Sequence, residues 1–240
     1  MSYGRILLKF SGDLIAAGKE RGAAGGAGGL VGDLVEVHGS GVQVGVVVGG
    51  GNLLRGAEVS RDGTMGRAAA DAVGMLGTVI NALVLEDLLE RSGVAARVLS
   101  ALHINALVEP HNRRRALWHL EKGRVVIFAG GTGNSYLTTD TAAALRAAEI
   151  GAQALLKATK VDGIYAADPM VDRGAERFDR LSYTEVLKRQ LGIMDAAAVS
   201  ICRETGIPIV VFDGMRRGNL QAVVRGEIVG TVVGGEDQHE

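Results

Sequence analysis

The chain has 240 residues, 47% of them hydrophobic and 22% charged, with a net charge of −1. That is enough apolar mass for a large α/β core and too much for a disordered chain. The charge balance offers no basic stripe of the kind that binds nucleic acid. No stretch approaches the roughly 20 apolar residues of a membrane span, and Met1–Arg5 lacks a signal-peptide layout. The single cysteine, Cys202, cannot close an internal disulfide. It reads as a small buried hydrophobe in a cytoplasmic protein.

In chain order, short β-branched runs predict strands at Arg5–Phe10, Val42–Val48, Ala96–Leu99, Arg124–Ala129, Ala154–Ala158, Pro208–Phe212 and Val229–Val233. Several are apolar on both faces, as strands are when helices cover a parallel sheet on both sides. Helical patterns fill the intervals at Met65–Arg91, Asn112–Lys122, Thr139–Ile150, Tyr183–Leu191 and Asp195–Thr205. The alternation predicts a three-layer α/β/α sandwich with a mainly parallel central sheet. The Ala/Gly-rich stretch Ala16–Gly29 predicts a flexible loop or a weak helix, and the polar tail Gly234–Glu240 a frayed end.

Ligands of open α/β sheets sit beyond the carboxyl ends of the strands, so the strand exits carry the chemistry. Glycine, at 36 residues, gathers at several of these exits. At the first exit, Lys9-Phe10-Ser11-Gly12 offers an ammonium and backbone N–H groups to a phosphate chain, or simply a lysine at a strand edge. At the second, Gly49-Gly50-Gly51 lets the backbone approach an anion, and Arg55 follows with a planar fork suited to phosphate. The third, Gly130–Thr139, places glycines, hydroxyls and a helix start together. There, Thr139 or Asp140 could equally be a plain helix cap. Asp71, among small residues near the start of the long helix, suits sugar hydroxyls or the helix dipole. In the segment Lys157–Pro169, Val161-Asp162-Gly163-Ile164-Tyr165 reads as strand, turn and strand ending in Asp168-Pro169, and Tyr165 could cover a purine or be half-buried core. The histidines, including His103, His111 and His119, lack metal-ligand spacing, and His119 reads as solvated on a charged helix. The run Arg113-Arg114-Arg115 reads as surface or subunit contact.

Taken in order, Arg5–Gly12, Gly49–Gly56, Gly74–Leu83, Gly130–Asn134, Thr138–Asp140, Leu156–Gly163 and Met194-Asp195 resemble the bacterial UMP kinase family, within the amino-acid-kinase superfamily. The likeness runs over nearly the whole chain. It implies one domain over 1–240, the N-terminal part mainly on the UMP side and the part from about 150 mainly on the ATP side. It implies transfer of the ATP γ-phosphoryl group to UMP, with Mg²⁺ carried on the ATP phosphates rather than in a protein metal site. Lys9, Phe10, Ser11, Gly12, Gly51, Arg55, Thr159, Tyr165 and Asp168 would hold ATP. Gly50, Asp71, Thr132, Gly133, Asn134, Ser135, Tyr136, Leu137, Thr138 and Thr139 would hold UMP. Lys9, Arg55, Asp140 and Asp195 would be catalytic. The resemblance further implies a homohexamer activated by GTP and inhibited by UTP, with no nucleic-acid or membrane partner.

The chain departs from the family at Ser135-Tyr136-Leu137, where Pro-Phe-Phe is common, and at Gly66 and Ala72, where an Asn and a larger residue are usual. Two other readings compete: a non-catalytic nucleotide-binding homologue, and a kinase of the same fold with a carboxylate or carbamate acceptor. The full charged set argues against the first. Asp71 with Thr138-Thr139 argues against the second, since an acid would repel a carboxylate substrate.

Overall fold

A computed structural model describes residues 2–14, 29–53, 65–167 and 174–235. The predicted segment 16–28, Arg55, Asp168 and the last residues of the tail lie outside these ranges.

The strands β1 (Arg5–Phe10), β2 (Gln43–Val48), β3 (Ala96–Ser100), β4 (Glu109–Pro110), β5 (Val125–Ala129), β6 (Ala154–Thr159), β9 (Arg180–Leu181), β10 (Ile209–Asp213) and β11 (Thr231–Val233) form one nine-stranded sheet. Its order is β4-β3-β5-β2-β1-β6-β10-β11-β9. All pairings are parallel except β10 with β11. The short β7 (Ile164–Tyr165) and β8 (Arg177–Phe178) make a separate antiparallel pair.

Successive side chains of a strand face opposite sides, and the core divides accordingly. Ile6, Leu8 and Phe10 of β1 join Val44, Val46 and Val48 of β2 in one apolar layer. There they pack under α1 (Leu30–Gly39), α2 (Arg67–Arg91) and α7 (Asn219–Val224). Leu7, Val47, Val126 and Phe128 join the opposite layer. It lies under α3 (Arg113–Glu121), α4 (Thr139–Ile150), α5 (Tyr183–Lys188) and α6 (Ala196–Thr205). This is the three-layer sandwich the strand patterns predict. Cys202 is buried in the second layer, where desolvation pushes its thiol pKa up to about 12.

Helix ends follow local chemistry. Asn112, Thr138 and Asp195 cap α3, α4 and α6 by accepting backbone N–H groups, and Ser182 with Glu185 closes a capping box on α5. The α5 helix stops at Lys188 rather than Leu191, because Gln190 turns to φ +51°. Helix α1 was hidden in the sequence by its neighbouring glycines. Two sequence expectations need correction. His119 is not solvated: it is 2% exposed, beside Glu109 and Arg124, and desolvation lowers its pKa below the ordinary value. Helix α2 is long and apolar enough by composition to cross a membrane. It nevertheless lies on the sheet, with Val79, Ala82, Leu85 and Leu89 in the core and polar Thr78 and Asn81 buried against the strand exits.

Candidate active site

In β1 and β6, Lys9 stands directly beside Lys157 in the parallel register, on the face covered by α4 and α6. From β1 the chain crosses over α1 to β2 on one side, whereas from β6 it crosses over α5 and α6 to β10 on the other. The two lysines therefore stand at the topological switch point of the sheet, where crevices open in α/β folds.

Two ammonium groups this close repel each other, and Asp140, in the first turn of α4, separates them. Lys157 Nζ donates to Asp140 Oδ2 at 2.8 Å, and Lys9 Nζ lies 2.6 Å from Oδ1. Lys157 also donates to the Ile193 carbonyl. Burial by itself would raise the Asp140 pKa, but the two lysines overcome it and hold the carboxyl below the ordinary value. For Lys157 burial prevails: desolvation, helped by repulsion from Lys9, lowers its pKa despite Asp140. The Lys157 role escaped the sequence reading, although the residue falls within the quoted Leu156–Gly163 motif. Its signal was a lysine inside an otherwise apolar strand.

Asp195 reaches the same corner from the start of α6. It accepts from the Thr141 hydroxyl at 2.8 Å, from the Ala198 N–H at 2.9 Å and from the Thr138 hydroxyl. It thereby ties the start of α4 to the start of α6, and its charge favours protonated Lys157. Thr138, rather than Thr139 or Asp140, is the residue whose side chain caps α4, by accepting the Asp140 N–H at 3.0 Å. That leaves the Asp140 carboxylate to the lysines.

The glycine loops flank the lysines, and α2 is the frame for both. Gly50 lies so close to this helix that a Cβ would meet Gly74 O at 2.5 Å. Asn81 of α2 donates to the Gly49 carbonyl and to Asn52 Oδ1, both at 2.7 Å. Gly12 touches the same pair of amides, with a would-be Cβ 2.2 Å from each. Thr78, one turn earlier, accepts the Gly130 N–H at 2.8 Å and donates to Met75 O. Thr78 and Asn81 also escaped the sequence reading. Nothing in the sequence separates them from surface positions, because their burial depends on which face of the helix meets the strand exits.

The remaining predicted residues gather at the same end of the sheet. Ser11 donates to Asp13 at 3.0 Å, while the Phe10 side chain is core and only its backbone reaches the exit. Gly51 lies on the exposed turn after β2. Thr132 accepts the Asn134 N–H at 3.1 Å within the loop Gly130–Leu137. In that loop Gly133 and Tyr136 take positive φ, and Tyr136 and Leu137 are exposed. Asp71 pairs with Arg67 and accepts the Tyr136 N–H at 2.8 Å. On the other flank, Thr159 accepts the Val161 N–H, and Tyr165 donates to Asp162 at 2.6 Å, which raises the tyrosine pKa.

A charged centre with two lysines about one carboxylate, fed by glycine loops, is suited to an anionic, phosphate-bearing ligand. Comparison with known proteins agrees. Residues 4–213 match the amino acid kinase family, and the chain belongs to that family. UMP kinase from Bacillus anthracis superposes with a TM-score of 0.88 at 32% identity, over 98% of this chain and 97% of that one. UMP kinase from Ureaplasma parvum gives 0.84 at 31% identity, over 98% of this chain and all of its own length, 100%. Uridylate kinase from Archaeoglobus fulgidus gives 0.73 at 29%, over 97% of this chain and 100% of that one.

Proposed function

We propose that this chain is an ATP-dependent nucleoside monophosphate kinase that transfers the γ-phosphoryl group of ATP to UMP, giving UDP and ADP in pyrimidine nucleotide synthesis in the cytoplasm. The observation that carries this is the Lys9–Asp140–Lys157 centre at the switch point, with a glycine loop on either side of it. Supporting it are the three UMP kinase structures that match nearly end to end.

Phosphoryl transfer asks a protein for alignment and charge neutralisation rather than covalent chemistry. The acceptor oxygen of a nucleoside monophosphate is already anionic, so no strong general base is required. Lys9 and Lys157 can neutralise charge on the phosphoryl group in flight, and Asp140 keeps both ammonium groups aimed at the crevice. Ser11, Gly12, Gly51 and Arg55 would hold the ATP phosphates, and Thr159, Tyr165 and Asp168 its adenosine. Gly50, Asp71 and the segment Thr132–Thr139 would take UMP, the halves of the domain before and after about residue 150 serving UMP and ATP respectively.

The carboxylates at the centre are committed: Asp140 to two lysines, Asp195 to hydroxyls and an N–H group. Among the described residues no cluster of His, Cys, Asp and Glu could hold a metal. Mg²⁺ would be carried on the ATP phosphates, where it would supply further neutralisation.

The exposed apolar stripe Val73, Leu76 and Ile80 on α2, at 37%, 46% and 54% exposure, supports assembly with further copies of the chain. A homohexamer with GTP as activator and UTP as inhibitor completes the reading.

The test is ADP release from Mg²⁺ and ATP with UMP, CMP, AMP or dUMP as acceptor, each with and without GTP. Turnover concentrated on UMP is expected. A folded sample that binds UMP but turns over none of them would instead make the chain a nucleotide-binding homologue without activity. Lys9→Ala is expected to lose most turnover while UMP binding changes less, and wild-type turnover in that variant would remove Lys9 from the centre.

A further inference from the structure

The loop Gly130–Leu137 meets the first turns of α2 at three points. The Ser135 hydroxyl donates to the Ala68 carbonyl at 3.3 Å, and the Tyr136 N–H donates to Asp71 Oδ2 at 2.8 Å. The Arg67 guanidinium lies 5.5 Å from the centre of the Tyr136 ring. Arg67 Nε is also 2.9 Å from each oxygen of Asp71, four residues on, so the pair shares one face of the helix. Tyr136 itself sits at φ +67°, a left-handed conformation that an L side chain adopts only when its surroundings hold it there. The residue is 69% exposed, so no apolar core fixes it. What fixes it is the acceptor on its N–H and the cation on its ring, and Arg67 governs both.

We infer that Arg67 is a positioning residue for the acceptor nucleotide: it orients the Asp71 carboxylate onto the Tyr136 N–H and stacks on the Tyr136 ring, holding residues 134–137 in the conformation that receives the acceptor. This rests on the reading of UMP as acceptor. Arg67 need touch neither phosphate nor base for this. It acts through Asp71 and Tyr136, on the segment that departs from the family's usual residues, and at the UMP end only.

The test compares wild type with Arg67→Met, Arg67→Lys, Asp71→Asn and the Arg67→Met/Asp71→Asn double variant. KM for UMP, dUMP and ATP, kcat and melting temperature are measured for each. Losing an exposed ion pair together with a cation–π contact predicts a KM for UMP raised about five- to tenfold in Arg67→Met. The KM for ATP and kcat are expected to stay within about twofold. Arg67→Lys, which keeps the charge but not the planar fork, falls between. KM for dUMP rises by the same factor as for UMP, because the loop and not a sugar hydroxyl is disturbed. In the Asp71→Asn background, Arg67→Met adds less than it does in wild type, since only its contact with the Tyr136 ring is left to lose.

An unchanged KM for UMP in Arg67→Met, full additivity with Asp71→Asn, or a fall in kcat alone would each overturn the assignment. Failure of the wild type to use UMP at all is a separate result, and sinks the acceptor reading rather than the role of Arg67.

Discussion

At the residue scale, the deciding feature is a pair of like charges that the sheet register sets side by side. Lys9 and Lys157 are 148 positions apart in the sequence, yet neighbours across β1 and β6. Two ammonium groups in a partly dry site tolerate each other only because Asp140 lies between them. Lys157→Ala is therefore expected to lower kcat by about a hundredfold or more, with smaller changes in UMP affinity, as removal of a preorganised charge does elsewhere; steady-state kinetics would show it. The lowered pKa of Lys157 carries a pH dependence. Its ammonium is lost at lower pH than an ordinary lysine with the value 10.5, so turnover should decline on the alkaline side before that value. In Lys157→Arg, which stays protonated, any remaining activity should keep its alkaline limb further out. For Asp140 the sign is opposite. Its folded-state pKa is depressed below 3.8, so its stabilising contribution is fully present above that value and lost as pH falls through the depressed one. Acid unfolding of Asp140→Asn should lack that component.

At the scale of elements, α2 organises the site without supplying a reacting group. Its buried Thr78 and Asn81 hold the two glycine loops by their backbone groups, Gly130 N–H and Gly49 O. Thr78→Val keeps the side-chain shape but leaves the Gly130 N–H without its partner. The expected cost is about 1–3 kcal/mol of stability, measured by urea unfolding. A larger relative loss of UMP turnover than of stability would show that the loop's placement matters beyond its energy. The sequence presents α2 as an apolar helix because periodicity registers the many Val, Ala and Leu. The two polar residues that point at the site are indistinguishable there from surface positions. The same limit explains His119, read as solvated from its charged neighbours Arg113–Arg115 and Glu121. Which face of α3 meets the sheet is decided by packing, and His119 lies on the inward face beside Leu120 and Ala116.

At the scale of the whole molecule, the sheet places its glycine loops and lysines at one end while leaving the outer face of α2 apolar. Val73, Leu76 and Ile80 project from the helix that frames the active site. Burying this stripe against another copy would link assembly to the placement of both glycine loops. Ile80→Asp is expected to shift the protein toward smaller species in light scattering or sedimentation. Where dissociation occurs, UMP turnover should fall with it. A variant of unchanged size would place the subunit contacts elsewhere.

By itself, the sequence determined the layer architecture and most strand positions, because runs that are apolar on both faces leave a chain few options besides a covered parallel sheet. It also marked Lys9, the two glycine loops and Asp140 as the chemistry-bearing strand exits, because ligands of such sheets gather where parallel strands end. Only the tertiary structure decided that Lys157 faces Lys9, that Asp140 is shared between them, that Thr78 and Asn81 brace the loops, and that Arg67 governs Tyr136. Each of these depends on strand register, or on which face of a helix turns inward. Both are settled by contacts between residues distant in the chain, which local patterning does not encode.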